Sequence, residues 1–344
     1  MHSLLVEHLN DEYHLQSAPP PLVTDWELST AFDSLNHNAA AGIDGLSAAI
    51  LKSCFPVIKF HLLFIINSCF QLSYFPDAWR SSKVLIIGKP NKPSYDSLNS
   101  LRPISLINNF AKILEKIILG RLQWFAKNEN WFSSNQHGFT DGRPTESACH
   151  SLTSFIHEGF QSKQVTACAF LDIKSAFDSA WHPAILVALS KRKCPPYLVC
   201  LVRCFLADRT ALLSHNDFDL SVKVSLGCHQ GGGVLSPFLW NVLIDDILRL
   251  RFPFLFHIIA YADDLTVANS HKDAHMATAN LQLVCNAIVN WCVESKLTLN
   301  AIKTIFMLFS RKAIEFVTLN LSLSIYGVNI LPSIETQFLG FTLD

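Results

Sequence analysis

Apolar residues recur along this chain at two periods, and each period predicts a different element. In PISLINNFAKILEKIILGRLQWF (103–125), Ile107, Phe110, Ile113, Leu114, Ile117, Ile118 and Leu122 return at steps of three and four. With Pro103 at its start, that spacing predicts a helix over 103–125. TDWELSTAFDSL (24–35) is a shorter amphipathic stretch with Thr24 or Asp25 available as N-cap. The run SAAILKSCFPVIKFHLLFIINSCFQL (47–72) also reads as helical, with a break expected at Pro56. Its greasiest part, VIKFHLLFII (57–66), is short and carries Lys59 and His61, so it is expected to be a core helix and not a membrane span.

Beyond residue 165 the texture changes. VTACAFLDI (165–173) is a continuous apolar run that ends in a carboxylate, the pattern of a buried strand. KSAFDSAWHPAILVALSK (174–191) and SPFLWNVLIDDILRLRF (236–252) read as helices, and LFHIIAYADDLTVAN (255–269) as strand, turn and strand. AHMATANLQLVCNAIVNWCVESK (274–296) is a long helix, LTLNAIKTIFMLFS (297–310) contains a Lys-bearing strand, and ETQFLGFTLD (335–344) closes with a short strand. Upstream, WRSSKVLIIGKPNKPSYD (79–96) pairs a short strand with a Lys- and Pro-rich loop, and NHNAAAGIDG (36–45) is a small-residue loop. Residues 1–23 read as a flexible arm with a polyproline stop. Strands and helices interleave without a steady β-α-β rhythm, which implies an α+β fold with helices on one face of a small sheet.

The 344 residues are enough for one large domain or two moderate ones with a sizeable core. Half the residues are hydrophobic and only 16% are charged, which excludes a largely disordered chain. The net charge of −1 leaves no bulk electrostatic footprint for nucleic acid, so a polyanion must be met by local basic clusters. One row of cations, Lys112, Lys116 and Arg121, lies on a single face of the 103–125 helix, where a solvated face is the first expectation. None of the ten cysteines shows C-x-x-C spacing, which suggests reduced, buried thiols in an intracellular protein. There is no basic-then-apolar signal peptide at the start.

Two adjacent carboxylates, Asp263 and Asp264, interrupt the apolar 255–269 segment. Alternate strand residues face opposite sides, so both acids can serve one site only near a turn. A hairpin with negative charge at its tip suits a hard cation, because Mg²⁺ takes carboxylate oxygens, water and substrate phosphate as ligands. Asp264 as an ordinary turn residue fits as well. Asp172, at the end of CAFLDI, is a third acid in similar surroundings. If the two strands are neighbours, the acids could share a pair of ions of the kind that drives phosphoryl transfer.

AGIDGLSAAILK, IIGKPNKP, LRPISLINNFAKILEKIILGRL, QHGFTDGRPTESA, FLDIKSAFDSAW, GCHQGGGVLSPFLWNVLIDDIL, YADD, LTLNAIKT and QFLGFTLD follow one another between about residues 38 and 343. In this order they resemble the reverse transcriptase domain of non-LTR (LINE-type) retrotransposons, most of all the jockey and R1 groups. The resemblance implies a right-hand polymerase fold with fingers over 24–165 and part of 183–225, and a palm over 166–344 whose antiparallel sheet is backed by helices, the chain ending before the thumb. It implies that Asp172 and Asp263 bind both catalytic Mg²⁺ ions, with Mn²⁺ as an alternative metal, that Asp264 assists, and that the Ile173 carbonyl adds a ligand. Phe177 matches the aromatic gate against a ribose 2′-OH, although a core helix residue fits the same position. Asp178 matches a capping or structural acid. Gln230 and Gly231 match the pair that packs on nucleotide and template, Lys303 the lysine that protonates the leaving pyrophosphate, and Arg102 and Lys89 the cations that meet the triphosphate.

The implied function is RNA-directed DNA synthesis on an RNA template with a DNA primer and dNTPs, without membrane attachment. The site of action would be intracellular, in the nucleus during target-primed synthesis and otherwise cytoplasmic. An upstream endonuclease and a downstream thumb are expected in the full-length element. GCHQGGGVLSP departs from the family pattern, with His229 where proline is usual and an extra glycine among Gly231, Gly232 and Gly233. Because added glycine means added freedom to lose on ordering, a catalytically silent relic that binds nucleic acid at most is the competing reading. A generic metal-dependent nuclease would leave the ordered motifs unexplained.

Overall fold

The computed structural model describes residues 19–90, 94–97, 100–215, 218–228, 233–311 and 320–344. The expected arm 1–23 therefore lies mostly outside the described residues. The chain divides into two compact units, Met1–Trp131 with His182–Leu239, and Phe132–Trp181 with Trp240–Asp344. The sequence reading places 132–165 with the preceding residues; the structure groups them with the second unit. The physical reason is helix Thr145–Gln161, whose apolar face packs on strands of the second unit's sheet.

In the first unit, strand Ser81–Gly88 pairs antiparallel with Leu101–Ile107 and parallel with Arg209–His215, which in turn pairs antiparallel with Phe218–Val224. Residues 103–107 were expected to begin a helix, but they belong to strand Leu101–Ile107. That strand lies at the sheet edge, where Pro103, lacking an N–H, is tolerated. The helix starts after it, at Asn109–Asn128. Helix Asp25–Asp33 carries the expected cap: Thr24 and Glu27 form a reciprocal capping box. Glu27 also pairs with Arg121, whose Nε lies 2.8 Å from Oε1. Lys116 donates to Ser34 O and Oγ, both at 2.6 Å, and Lys112 to Asn109 Oδ1 at 3.2 Å. The basic row is thus committed to intramolecular bonds and is not a plain solvated face.

Helix Ala48–Gln71 departs most from expectation. It runs unbroken through Pro56, and it is not a core helix: Val57, Phe60 and Phe64 are each at least 70% exposed. Its buried side is a narrow stripe including Leu51, Leu62, Ile66 and Phe70. By length and composition it is apolar enough to cross a membrane, with 17% of its apolar window buried. All ten cysteines are free thiols and seven are buried; Cys54 is exposed.

The second unit is built on a six-stranded sheet in the order 332–333, 305–309, 165–172, 264–271, 256–261, 136–137. Its four central strands are antiparallel neighbours. Strand Val165–Asp172 is buried on both faces over most of its length, which accounts for its unbroken apolar run. Helix Thr145–Gln161 covers one face, where Ala148, Leu152, Phe155 and Ile156 meet Cys168, Ile259, Ala268 and Met307. Helix Ala274–Glu294 packs along strands Asp264–His271 and Val165–Asp172. The segment expected as one helix over 174–191 is two, Ala176–Ser179 and His182–Lys191, separated around Trp181. The helix over 236–252 likewise stops at Ile244, followed by a single 3₁₀ turn at Ile247–Arg249. The tail forms a hairpin, Thr336–Phe338 with Phe341–Leu343, and not a single strand.

Gly159 brings the covering helix against the sheet, where Thr166 and Ser270 hydroxyls bond each other at 2.8 Å. A Cβ at Gly159 would collide with Thr166 Oγ1. Gly159→Ala is expected to destabilise the protein by about 1–3 kcal/mol through overpacking, read from the urea unfolding midpoint. A neutral or stabilising result would contradict this close approach.

Candidate active site

The strands of the second sheet bring the three acids together. In the register of Val165–Asp172 and Asp264–His271, Asp172 stands directly opposite Asp264. Side chains so placed share a face, with Cβ atoms about 4.5–5.5 Å apart, and like charges there repel. Strand Phe256–Tyr261 joins Asp264–His271 through the two residues Ala262 and Asp263, so Asp263 sits at the hairpin tip. Asp263 and Asp264 keep exposed surface, while Asp172 is half-buried.

The repulsion registers on Asp264. Desolvation first, then the charges of Asp263 and Asp172, push its carboxyl up to about 6. Its exposed edge lets water screen part of that effect. Lys303 supplies compensating charge, with Nζ 3.5 Å from Asp172 Oδ2. It does not lie on a strand as expected, but in the turn before Ile305–Phe309. Backbone bonds hang that turn on the acid itself: Asn300 N donates to Asp172 O at 2.8 Å, and Lys303 N to Asn300 O at 3.1 Å. Ile173 is buried and bridges to Leu299, which continues the same tether.

The hairpin tip is held against its own preference. Ala262 adopts φ 54°, in the left-handed region that glycine, asparagine and aspartate favour in two-residue turns. Trp240, fully buried, donates its Nε1–H to Ala262 O at 2.7 Å. From the other side Gly138, at φ +68°, comes so close that a Cβ there would lie 3.0 Å from Ala262 N. Asn241 Nδ2 donates to Gly138 O at 2.9 Å. Arg143 Nη1 donates to Ser133 O at 2.6 Å and Gln136 O at 3.0 Å, which keeps Gln136–His137 beside Phe256–Tyr261. Sequence reading did not single out Trp240, Asn241 or Gly138. The signals were present in QHGF and LWN, but nothing in apolar periodicity separates a hydrogen-bonding indole from a core aromatic.

Phe177 lies in the short helix after Asp172, half-buried, with its ring 5.5 Å from that of Trp240 and 6.2 Å from that of Phe139. Asp178 is an exposed member of the same helix. In the first unit, Arg102 and Lys89 meet at one end of a hairpin: Arg102 pairs with Ile87, and Lys89 N donates to Ser100 O at 2.8 Å. Gln230 and Gly231 lie outside the described residues, as does His229. The flank that follows them is held by Glu115, which is 1% exposed and accepts from Val234 N at 2.9 Å and Leu235 N at 3.1 Å. Among the described residues, no group of three or more His, Cys, Asp or Glu side chains is gathered as a ready metal site. The donor chemistry nevertheless suits a hard divalent cation: Asp172 and Asp264 are cross-strand partners with Asp263 at the adjoining tip, and desolvation together with the neighbouring charges raises Asp264 despite Lys303 beside Asp172.

A family model described as reverse transcriptase (RNA-dependent DNA polymerase) matches residues 87–343. The RNA-directed DNA polymerase from mobile element jockey of Drosophila melanogaster is 31% identical over 345 residues, covering 98% of this chain and 37% of that protein. The probable RNA-directed DNA polymerase from transposon BS of the same organism is 30% identical over 327 residues, covering 92% of this chain and 35% of that protein. The chain thus spans little more than a third of the length of these curated relatives. A solved structure of apo telomerase from Candida tropicalis, truncated from its C-terminal domain, aligns with 77% of this chain and 55% of that chain at 15% identity and TM-score 0.49.

Asp264 keeps its proton longer in the folded protein than at the ordinary carboxyl value of 3.8. Its effect on stability is therefore most favourable below about pH 4 and is lost as pH rises through about 6. Asp264→Asn is expected to raise the melting temperature of metal-free protein at about pH 8 and to change it little at about pH 4. Thermal denaturation in chelator at both pH values checks this; an Asn variant that melts lower at the higher pH contradicts the crowding of charge.

Proposed function

The chain belongs to the reverse transcriptase (RNA-dependent DNA polymerase) family, and we propose that the acids of its six-stranded sheet form a nucleotidyl-transfer site for RNA-templated DNA synthesis. Its α+β architecture is the right-hand polymerase fold of that family. The observation that supports the reading best is the register that sets Asp172 opposite Asp264 with Asp263 at the adjoining tip.

Enzymes of this family generally use divalent metals. In the proposed site Asp172 and Asp263 would hold two Mg²⁺ ions, with Asp264 assisting and the Ile173 carbonyl as a further ligand. When bound, such ions supply charge neutralisation at the attacking and leaving oxygens. The chain's own residues do the rest. Asp172 and the hairpin fix where the reacting groups meet, and positioning of this kind contributes much of phosphoryl-transfer catalysis. The primer 3′-oxygen would lose its proton to solvent and form its bond to the α-phosphorus of a dNTP as the bond to pyrophosphate breaks. Lys303, beside Asp172, would give a proton to the departing pyrophosphate. Phe177, whose ring lies near those of Phe139 and Trp240, would act as the gate against a ribose 2′-OH. Arg102 and Lys89, together on the first unit's hairpin, would meet the triphosphate, with Gln230 and Gly231 against the base pair. RNA template, DNA primer and dNTPs are the implied substrates.

Primer extension on an RNA template with Mg²⁺ tests the proposal. Wild-type protein is expected to extend the primer, and Asp172→Asn or Asp263→Asn to lower the rate by on the order of 10²–10³-fold, with unchanged folding by circular dichroism. Absence of extension by the wild type would favour the silent-relic reading, and extension that survives Asp263→Asn would overturn the metal assignment.

A further inference from the structure

Trp240 touches two parts of the proposed site at once. Its indole is fully buried, with the Nε1–H given to Ala262 O at 2.7 Å and its ring 5.5 Å from Phe177 at an interplanar angle of 35°. Ala262 precedes Asp263 in the hairpin, and Phe177 follows Asp172 in the next turn of chain. A part-buried carbonyl that loses its donor carries a cost, and Ala262 is already held in an unfavourable backbone region. The hairpin tip therefore depends on the indole N–H. Phe177 has the indole 5.5 Å away and Phe139 at 6.2 Å and near a right angle, so the indole is the nearer of these two rings that set its position. One rigid bicyclic side chain thus spans from the acid-bearing tip to the aromatic beside the nucleotide. Phenylalanine in its place would fill part of the volume and offer no donor.

We propose that Trp240 is a positioning residue that sets Phe177 relative to the Asp263 hairpin, and through that distance determines how strictly the site rejects ribonucleotides. The inference rests on the polymerase reading and goes beyond it by assigning sugar selectivity to a residue that touches neither metal nor substrate. A residue that served folding alone would, when replaced, lower activity toward dNTPs and rNTPs alike. A residue that sets the gate changes their ratio, because selectivity is a difference between two transition states in one pocket.

The test compares wild type and Trp240→Phe in the full chain. The ratio of kcat/KM for a dNTP to that for the matching rNTP is expected to fall by about tenfold in the variant, with kcat for the dNTP also reduced. An unchanged ratio would overturn the proposal. The physical link is read separately, without turnover, from the indole N–H resonances of ¹⁵N-tryptophan-labelled protein, assigned through Trp240→Phe. Phe177→Ala and Ala262→Gly should each shift the Trp240 resonance and spare the indoles outside this contact; a Trp240 resonance indifferent to either change would overturn the link. A wild-type chain that extends no primer would count against the polymerase reading alone, and the resonances would still decide whether Trp240 joins the two elements.

Discussion

Like charge confined to one face of an antiparallel pair is the constraint around which the second unit is arranged. Asp172 and Asp264 are cross-strand partners, and Asp263 is one residue away at the tip. An isolated sheet would relax this crowding by slipping its register, yet a slip of one residue would exchange the side chains packed on the two covered faces of Val165–Asp172. Burial of that strand on both faces holds the register, and so holds the charges. The strained Ala262, the indole bond to its carbonyl, the close approach of Gly138 and the turn that carries Lys303 all act on this one corner. Strain and unfavourable charge gathered at one place, with rigid packing around it, are what a site prepared for a cationic ligand requires.

The first unit handles its buried charges differently. Arg121 and Glu27 pair, with their side chains 12% and 23% exposed, and Arg121 also reaches the carbonyls of Pro21 and Leu22. Glu115 ties helix Asn109–Asn128 to the two amides that precede helix Ser236–Ile244. Desolvation pushes its carboxyl up to about 7 against those amide bonds. These polar contacts fasten elements distant in sequence, which burial of apolar area alone would leave free to slide.

Much of the second unit was legible because its strands obey simple rules. Val165–Asp172 is apolar throughout because both faces are covered, and the hairpin around Asp263 shows itself as two apolar runs with a charged turn. Asp172 and Asp264 as neighbours needed only that those strands pair. Local rules failed where tertiary context overrode them. Pro103 read as a helix start and sits instead in an edge strand, where a missing N–H leaves no gap in the ladder. Pro56 read as a break, yet helix Ala48–Gln71 continues through it. The apolar character of that helix suggested a core, and its exposed Val57, Phe60 and Phe64 show that hydrophobicity alone does not tell which face is covered. Trp240 was invisible for a related reason: the periodicity that places it inside a helix says nothing of where its single N–H points.

Counting bound metal tests the central claim most directly. Manganese can replace magnesium at carboxylate oxygens and is read by electron paramagnetic resonance as free ion is titrated with protein, dNTP and primer–template present. The account predicts saturable binding by the wild type that Asp172→Asn and Asp263→Asn each weaken by about tenfold or more. Binding to either variant that matches the wild type would contradict it.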